Sequence, residues 1–572
     1  MHYAEERYER DVALVLPCLV QIDSKASPIG YLTEAKMTET LDIVIKNARV
    51  MDGTGNPWLS RDIGIAEGKI KRIGPIAEKG KKTIDARGLT LTPGFVDLHN
   101  HSDLSILPHP DAESFIMQGV TTAAVGHCGL TMAPVNPTKL DLLRRYVSPF
   151  LIPGFDYGWN WHTLREYFER VKSQGISLNF APLVGQGTIR LAVKGFDPSE
   201  VTKEEMRAMQ KLLEQSLEEG AFGMSTGLIY PPGSYSSTQE LIELASLLKK
   251  YGALYATHLR DESDNLIRSL DEAILIGEEN EIPVEIVHHK AAGRANWGKV
   301  NATLRIMTDA RARGLEINCD VYPYTAGSTT ITALLPTYML EGGVESMLER
   351  LQDKKTREAL NKDITKGTMK EQNQISACGW NNIFIGACPS HKEYEGRSLE
   401  DILTSKKKLS DPCEGLFDWL LETKGNATMI VFQMHEDDVR TVISSPLSSV
   451  ASDGWATSPS AGGKPHPRAY GTFPRVLGKY VREEKLLSLE DAVRKMTSLP
   501  AGKLGLTDRG ILREGFWADI VVFDPETITD KATYANPHQY PEGIYYVLVN
   551  GQVAVQNGKL TGARPGRVLQ RR

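Results

Sequence analysis

The chain has 572 residues, with 66 basic against 72 acidic, a net charge of −6, and 41% apolar residues. That length exceeds one small core and admits a large barrel with further domains. So mild a charge balance points to neither nucleic acid nor a membrane surface as partner, and no apolar stretch reaches the roughly 18 residues that span a bilayer.

Residues 1–40 read as an extension of unknown role. Val12 to Val20 has the length of a signal-peptide core, but Glu5, Glu6, Glu9 and Asp11 precede it, where a signal needs positive charge. Residues 41–92 turn β-rich, with alternating runs such as "LDIVIKNARV" separated by glycine turns. The same texture returns over 505–572. Chain ends often lie close together, so the two stretches are expected to build one small β-sandwich domain.

Between them, over 93–504, short apolar runs mostly alternate with helical patterns. Pro93-Gly94 ends the first sheet stretch, and Phe95 to Leu98 reads as a buried strand. "TKEEMRAMQKLLEQSLEEG" opens with a capping box, Thr202 to Glu205, and its Met206, Met209, Leu213 and Leu217 form an apolar stripe. Ser237 to Glu240 opens the next helix in the same way. About eight strands follow from Phe95 onward, the count of a (β/α)₈ barrel of TIM type. An excess segment at about 334–429 is too long for a loop and reads as an inserted subdomain. Six cysteines are scattered without C-x-x-C spacing, which fits a reducing cytoplasm.

The strand ends carry the chemistry. The first ends in His99 and His101, the second in His127 and Cys128, the fifth in His258. The sixth ends in His288, His289 and Lys290, the seventh in "DVYPY" and the eighth in Asp453. An isolated H-x-H is weak evidence. In a barrel, however, all these ends meet at one mouth, and mixed imidazole, thiolate and carboxylate donors suit Zn²⁺. Strand neighbours face opposite ways, so only one of His288 and His289 is expected to point inward. Asp453 can be a ligand, a general base, or both.

The motifs "PGFVDLHNHSD", "GVTTAAVGHCG", "STGLIYPP", "YATHLRDE", "HHKAAG", "DVYPYTAGS", "SDGWATSP" and "ADIVVFDP" resemble those of the metal-dependent amidohydrolase superfamily. Within it, the chain resembles the N-acyl-D-amino-acid deacylase (D-aminoacylase) family, from about Leu41 to the C-terminal "GRVLQRR". The resemblance implies zinc-dependent hydrolysis of N-acyl-D-amino acids, small molecules, to a carboxylate and a free D-amino acid. It assigns one firmly held zinc to Cys128, His258 and His288, and a weaker second site to His99 and His101. Cys128 takes the place of the carboxylated lysine of other amidohydrolases. Asp453 matches the catalytic aspartate, which takes the proton of water and returns it to the amine. Arg468, Lys290, Tyr230 and Tyr322 match the positions that hold the substrate α-carboxylate. His127 stands where the family has Asn. Arg260, Asp261 and Glu262 follow a ligand strand and are either supports for His258 or a plain cluster at a helix start. The rival readings are a cyclic-amide hydrolase of hydantoinase or dihydroorotase type and a non-catalytic barrel scaffold. The sequence does not give the oligomeric state.

Overall fold

The computed structural model describes residues 40–369, 371–406 and 410–571. The extension expected at 1–40 lies outside them apart from Thr40. Both β-rich chain ends enter one sheet. Ile43–Val50 pairs antiparallel with Leu59–Ala66, which pairs with Lys69–Gly74. On its other side Ile43–Val50 runs parallel to Lys82–Asp85 and Thr90–Pro93. Thr90–Pro93 then takes Ile520–Phe523 from the far end of the chain, followed by Ile544–Val549, Gln552–Gln556 and Lys559–Leu560. Ile43 and Ile45, Ile63 and Ile65, and Ile520 and Val522 share one apolar core, as a period of two requires.

Pro93 leads directly into the first of eight parallel strands. These are β1 (Phe95–Asp97), β2 (Val120–Val125), β3 (Asn179–Pro182, resuming at Val184–Gly185), β4 (Gly223–Gly227), β5 (Leu254–His258), β6 (Val284–Ile286), β7 (Ile317–Val321) and β8 (Ser448–Val450). Each bonds to the next in parallel register. Beyond β8, Asp453 N–H donates to the His99 carbonyl at 2.9 Å, and His101 N–H donates to the Gly454 carbonyl at 2.7 Å. The Asp97 carboxylate accepts the Ser452 N–H at 2.9 Å. The first and last strand ends are therefore tied together where the candidate ligands sit. Val96, Leu98, Ala124, Ala181, Leu183, Ala256, Val287 and Ala451 fill the space between the strands. Small side chains dominate because eight strands leave little room inside.

Helices connect the strands and pack outside. Lys203–Glu218 carries the expected capping box in full: Thr202 accepts the Glu205 N–H, and Glu205 accepts the Thr202 N–H. Thr238–Lys250 has only half of one. Ser237 accepts the Glu240 N–H, but the Glu240 carboxylate turns instead to the buried Arg190 guanidinium at 3.2 Å and to the Ser236 hydroxyl at 2.7 Å. A buried guanidinium needs a counter-charge more than a helix end needs a second cap.

Between β7 and β8 lies an antiparallel sheet of Ala326–Thr330, Thr428–Phe432 and Ile383–Ala387, with its own apolar core around Leu360, Leu416, Trp419 and Met429. The sheet extends beyond the expected 334–429 on both sides. Its first strand, "AGSTT", is small and polar and carries no hydrophobic signal. At the other end of the barrel the C-terminal tail crosses the strand starts. Leu569 N–H donates to the Phe180 carbonyl at 2.7 Å and Arg571 N–H to the Gly220 carbonyl at 3.1 Å.

Candidate active site

Ten residues marked by the sequence come together at the C-terminal ends of the strands. Nine of them line one pocket: His101, Cys128, Tyr230, His258, His288, Lys290, Tyr322, Asp453 and Arg468. His99 lies beside them, fully buried.

The backbone must leave ideal strand geometry to aim these side chains. In β5 it does not: Leu254 and Ala256 face the interior and His258 follows them by simple alternation. In β1, Val96 and Leu98 face inside, so alternation alone would send Asn100 inward. The chain bends at Leu98 and His99 instead, and both His99 and His101 turn into the mouth, with ring centroids 5.2 Å apart. In β6 the interior residue is Val287, and His288 enters only because it adopts φ +38°. His289 points outward, its Nε2 2.7 Å from the Thr303 hydroxyl. Cys128 and Asp453 have the same left-handed backbone, with φ +53° and +50°. The Cys128 loop presses on β4, where a Cβ on Gly227 would stand 2.1 Å from the Cys128 carbonyl oxygen. Non-glycine residues held at positive φ are a mark of functional sites.

Cys128 Sγ stands at the centre, 3.5 Å from His99 Nε2, 3.8 Å from His258 Nδ1 and 3.7 Å from His288 Nε2. Two donor groups share it: Cys128, His258 and His288, and His99, His101, Cys128 and Asp453. Zinc bonds of 2.0–2.3 Å in a tetrahedron imply ligand separations of about 3.3–3.8 Å, and the three sulfur–nitrogen distances fall in that range. Burial pushes the imidazoles of His99 and His288 well below their usual pKa, and that of His258 down to about 4, so each offers a lone pair. Burial also pushes the Cys128 thiol up, with the Asp453 charge adding to it. A thiolate here needs a cation, and a divalent metal is what the donor set fits.

Asp453 Oδ1 lies 3.1 Å from His101 Nε2 and 3.3 Å from His99 Nε2. Its Oδ2 is 2.8 Å from Arg468 Nη1. Burial pushes the Asp453 carboxyl up, but the Arg468 guanidinium together with His99, His101 and His288 outweighs it and holds the group well below the usual carboxylate range. Arg468 also covers the Tyr322 ring at 4.7 Å. The Tyr230 hydroxyl meets Thr329 Oγ1 at 2.7 Å.

Three residues contribute more than the sequence indicated. Glu262 gathers the outer side of one donor group. Lys290 Nζ donates to its Oε1 at 2.5 Å, His288 Nδ1 lies 3.1 Å from the same oxygen, and His258 Nε2 lies 3.4 Å from Oε2. Asp320, unmarked in the sequence, accepts the His288 N–H at 2.6 Å and lies 3.5 Å from His99 Nδ1. Its only signal is an acid inside an apolar strand. His127 stacks on His99 with centroids 4.3 Å apart, and both of its ring nitrogens are buried without a hydrogen-bond partner.

A model of the amidohydrolase family matches residues 82–226 and 414–555, the two stretches that flank the middle of the barrel and most of the inserted sheet. Over 535 residues the chain is 37% identical to the N-acyl-D-aspartate deacylase of Alcaligenes xylosoxydans xylosoxydans, covering 92% of this chain and 95% of that protein. The chain belongs to the amidohydrolase family. Among solved amidohydrolase structures, D-aminoacylase, which has a binuclear metal centre, superimposes with a TM-score of 0.77 at 34% identity, over 93% of this chain and 100% of that one. The N-acyl-D-glutamate deacylase of Bordetella bronchiseptica, complexed with zinc and a phosphonate mimic of the tetrahedral intermediate, gives 0.76 at 34% identity, over the same shares. The fold is the α/β, TIM-barrel type of these amidohydrolases.

Proposed function

We propose that this amidohydrolase cleaves the amide bond of N-acyl-D-amino acids in a zinc-dependent reaction, releasing a carboxylate and the free D-amino acid. The observation that carries the reading is Cys128 Sγ within 3.8 Å of nitrogens from His99, His258 and His288. Three relatives that match over more than 90% of the chain, an N-acyl-D-aspartate deacylase, a D-aminoacylase and an N-acyl-D-glutamate deacylase, support the substrate class.

Cys128, His258 and His288 would hold one zinc firmly, and His99 and His101, with Asp453 beside them, would form a weaker second site. When bound, zinc would supply positive charge to polarise the acyl carbonyl and acidify water. Asp453 takes the proton of the attacking water and delivers it to the leaving nitrogen. Arg468 and Lys290 bind the α-carboxylate by charge, with Tyr230 and Tyr322 as hydroxyl donors. Glu262 fixes the rings of His258 and His288 and keeps Lys290 in place. The five cysteines among the described residues are all free, which supports a reducing compartment, the cytoplasm. Among the described residues no helix is long and apolar enough to cross a membrane.

The test is release of free amino acid by the zinc-loaded protein from N-acetyl-D-amino acids, N-acetyl-L-amino acids and hydantoins. Hydrolysis of the D-series is expected. Cleavage of hydantoins alone would overturn the reading.

A further inference from the structure

An annex adjoins the pocket of the candidate metal ligands and shares Leu130, Phe150, Ile229 and Tyr230 with it. Its farther wall includes Phe196, Leu335, Leu340 and Val344. One charged residue, Arg145, reaches the lining, and its guanidinium is engaged. Nε donates to Glu345 Oε1 at 2.9 Å and Nη2 to the Lys424 carbonyl at 2.5 Å.

We propose that this annex receives the side chain of the D-amino acid and selects apolar side chains over acidic ones. The inference rests on the deacylase reading, since it takes the α-carboxylate to lie among Tyr230, Lys290, Tyr322 and Arg468. Of these four, Tyr230 alone also lines the annex. The α-carbon carries its carboxylate and its side chain as neighbours, so a side chain leaving that position passes Tyr230 and Ile229 into the annex. The cations of the main pocket, Lys290 and Arg468, serve the α-carboxylate in this reading and stand against Glu262 at 2.5 Å and Asp453 at 2.8 Å, so neither is left over for a second carboxylate. A second carboxylate entering the annex would lose its water and meet apolar walls and an occupied guanidinium, which is costly. An alkyl or aryl side chain gains from the same walls. The substrates expected are N-acyl derivatives of amino acids such as D-leucine, D-methionine and D-phenylalanine.

The experiment compares kcat/KM of the zinc-loaded full chain for N-acetyl-D-leucine, N-acetyl-D-aspartate and N-acetyl-D-glutamate. N-acetyl-D-leucine is expected to lead by at least about 100-fold, the scale on which an apolar pocket discriminates. Thr330→Lys adds a cation to the annex wall and is expected to lower the leucine-to-aspartate ratio by at least about tenfold. If either acidic substrate equals or exceeds D-leucine, the annex inference falls and the deacylase reading stands. A folded Thr330→Lys protein with an unchanged ratio also overturns it. Failure to cleave any N-acetyl-D-amino acid overturns the deacylase reading and this inference with it. The wild-type comparison decides the matter should the variant not fold.

Discussion

At the scale of single residues, Cys128 and Asp453 divide the work of the proposed site. Cys128 lies close to nitrogens of both donor groups, and burial opposes its ionisation, so its thiolate and the metal depend on each other. Cys128→Ala is expected to fold and to lose its firmly bound zinc on dialysis, because a methyl group replaces neither charge nor soft donor. Full zinc in a folded Cys128→Ala protein would contradict the assignment. Asp453→Asn keeps the shape of the side chain but cannot accept a proton. With Cys128, His258 and His288 intact, the variant is expected to retain zinc while kcat falls by at least about 100-fold and KM changes little. Arg468 then stays buried without its counter-charge, so the melting temperature should fall as well. Near-full kcat would remove Asp453 from the mechanism. Loss of zinc would make it a primary ligand instead.

At the scale of elements, β6 offers the clearest test of register. His288 faces Cys128, whereas His289 faces Thr303 on the helix Lys299–Ala312. His288→Ala should lose zinc. His289→Ala should keep it and lose about 1–3 kcal/mol of stability from the lost hydrogen bond to Thr303 and the space left by the buried imidazole, read as a lower Tm. Equal zinc loss in the two proteins would mean the strand is misread. The strands and helices were legible because apolar periodicity and helix caps are local signals, and the ligand-bearing strand ends followed from the barrel topology. Other features depend on tertiary contacts that no local pattern carries. Alternation gave only that one of His288 and His289 points inward; the family resemblance chose His288, and what turns it inward is its own left-handed backbone. The reach of Glu262 to His258, His288 and Lys290 depends on how the loop after β5 folds back. Asp320 carries no mark in the sequence, because only the fold brings His99 and His288 around it. The first strand of the inserted sheet, Ala326–Thr330, was invisible because its pairing with Thr428–Phe432, not its composition, makes it a strand.

At the scale of the whole molecule, the proposed site is assembled from residues as far apart as His99 and Arg468, and it holds together only if the strand ends keep their order. Two devices secure that order. Near the mouth, Asp97, His99 and His101 are tied to Ser452, Asp453 and Gly454. At the opposite end, the C-terminal tail ties the starts of β3, β4 and β5. Arg567 accepts from Phe180, Leu569 donates to Phe180, and the Arg571 guanidinium donates to the carbonyls of Tyr251 and Leu504. Removal of residues 564–572 is expected to cost roughly 2–4 kcal/mol through Leu569 burial and these bonds. Thermal denaturation should shift down, while zinc content and kcat at low temperature remain near wild type because the tail is remote from the mouth. A truncated protein with unchanged Tm would show that the tail does not brace the barrel.

The left-handed backbone at Cys128, His288 and Asp453 has a consequence for inheritance. Each such residue costs about 1–2 kcal/mol that glycine would not, so the fold by itself favours replacing Cys128 and His288, whereas Asp453 also offsets the buried charge of Arg468. Only selection for the reaction holds the first two in place. In a duplicated gene freed from that selection, the codons of Cys128 and His288 are expected to drift toward glycine or asparagine, with the barrel becoming more stable as it falls silent, and Asp453 is expected to go only together with Arg468. A descendant with an intact barrel core and small or amide residues in place of Cys128 and His288 would have kept the architecture and abandoned the chemistry.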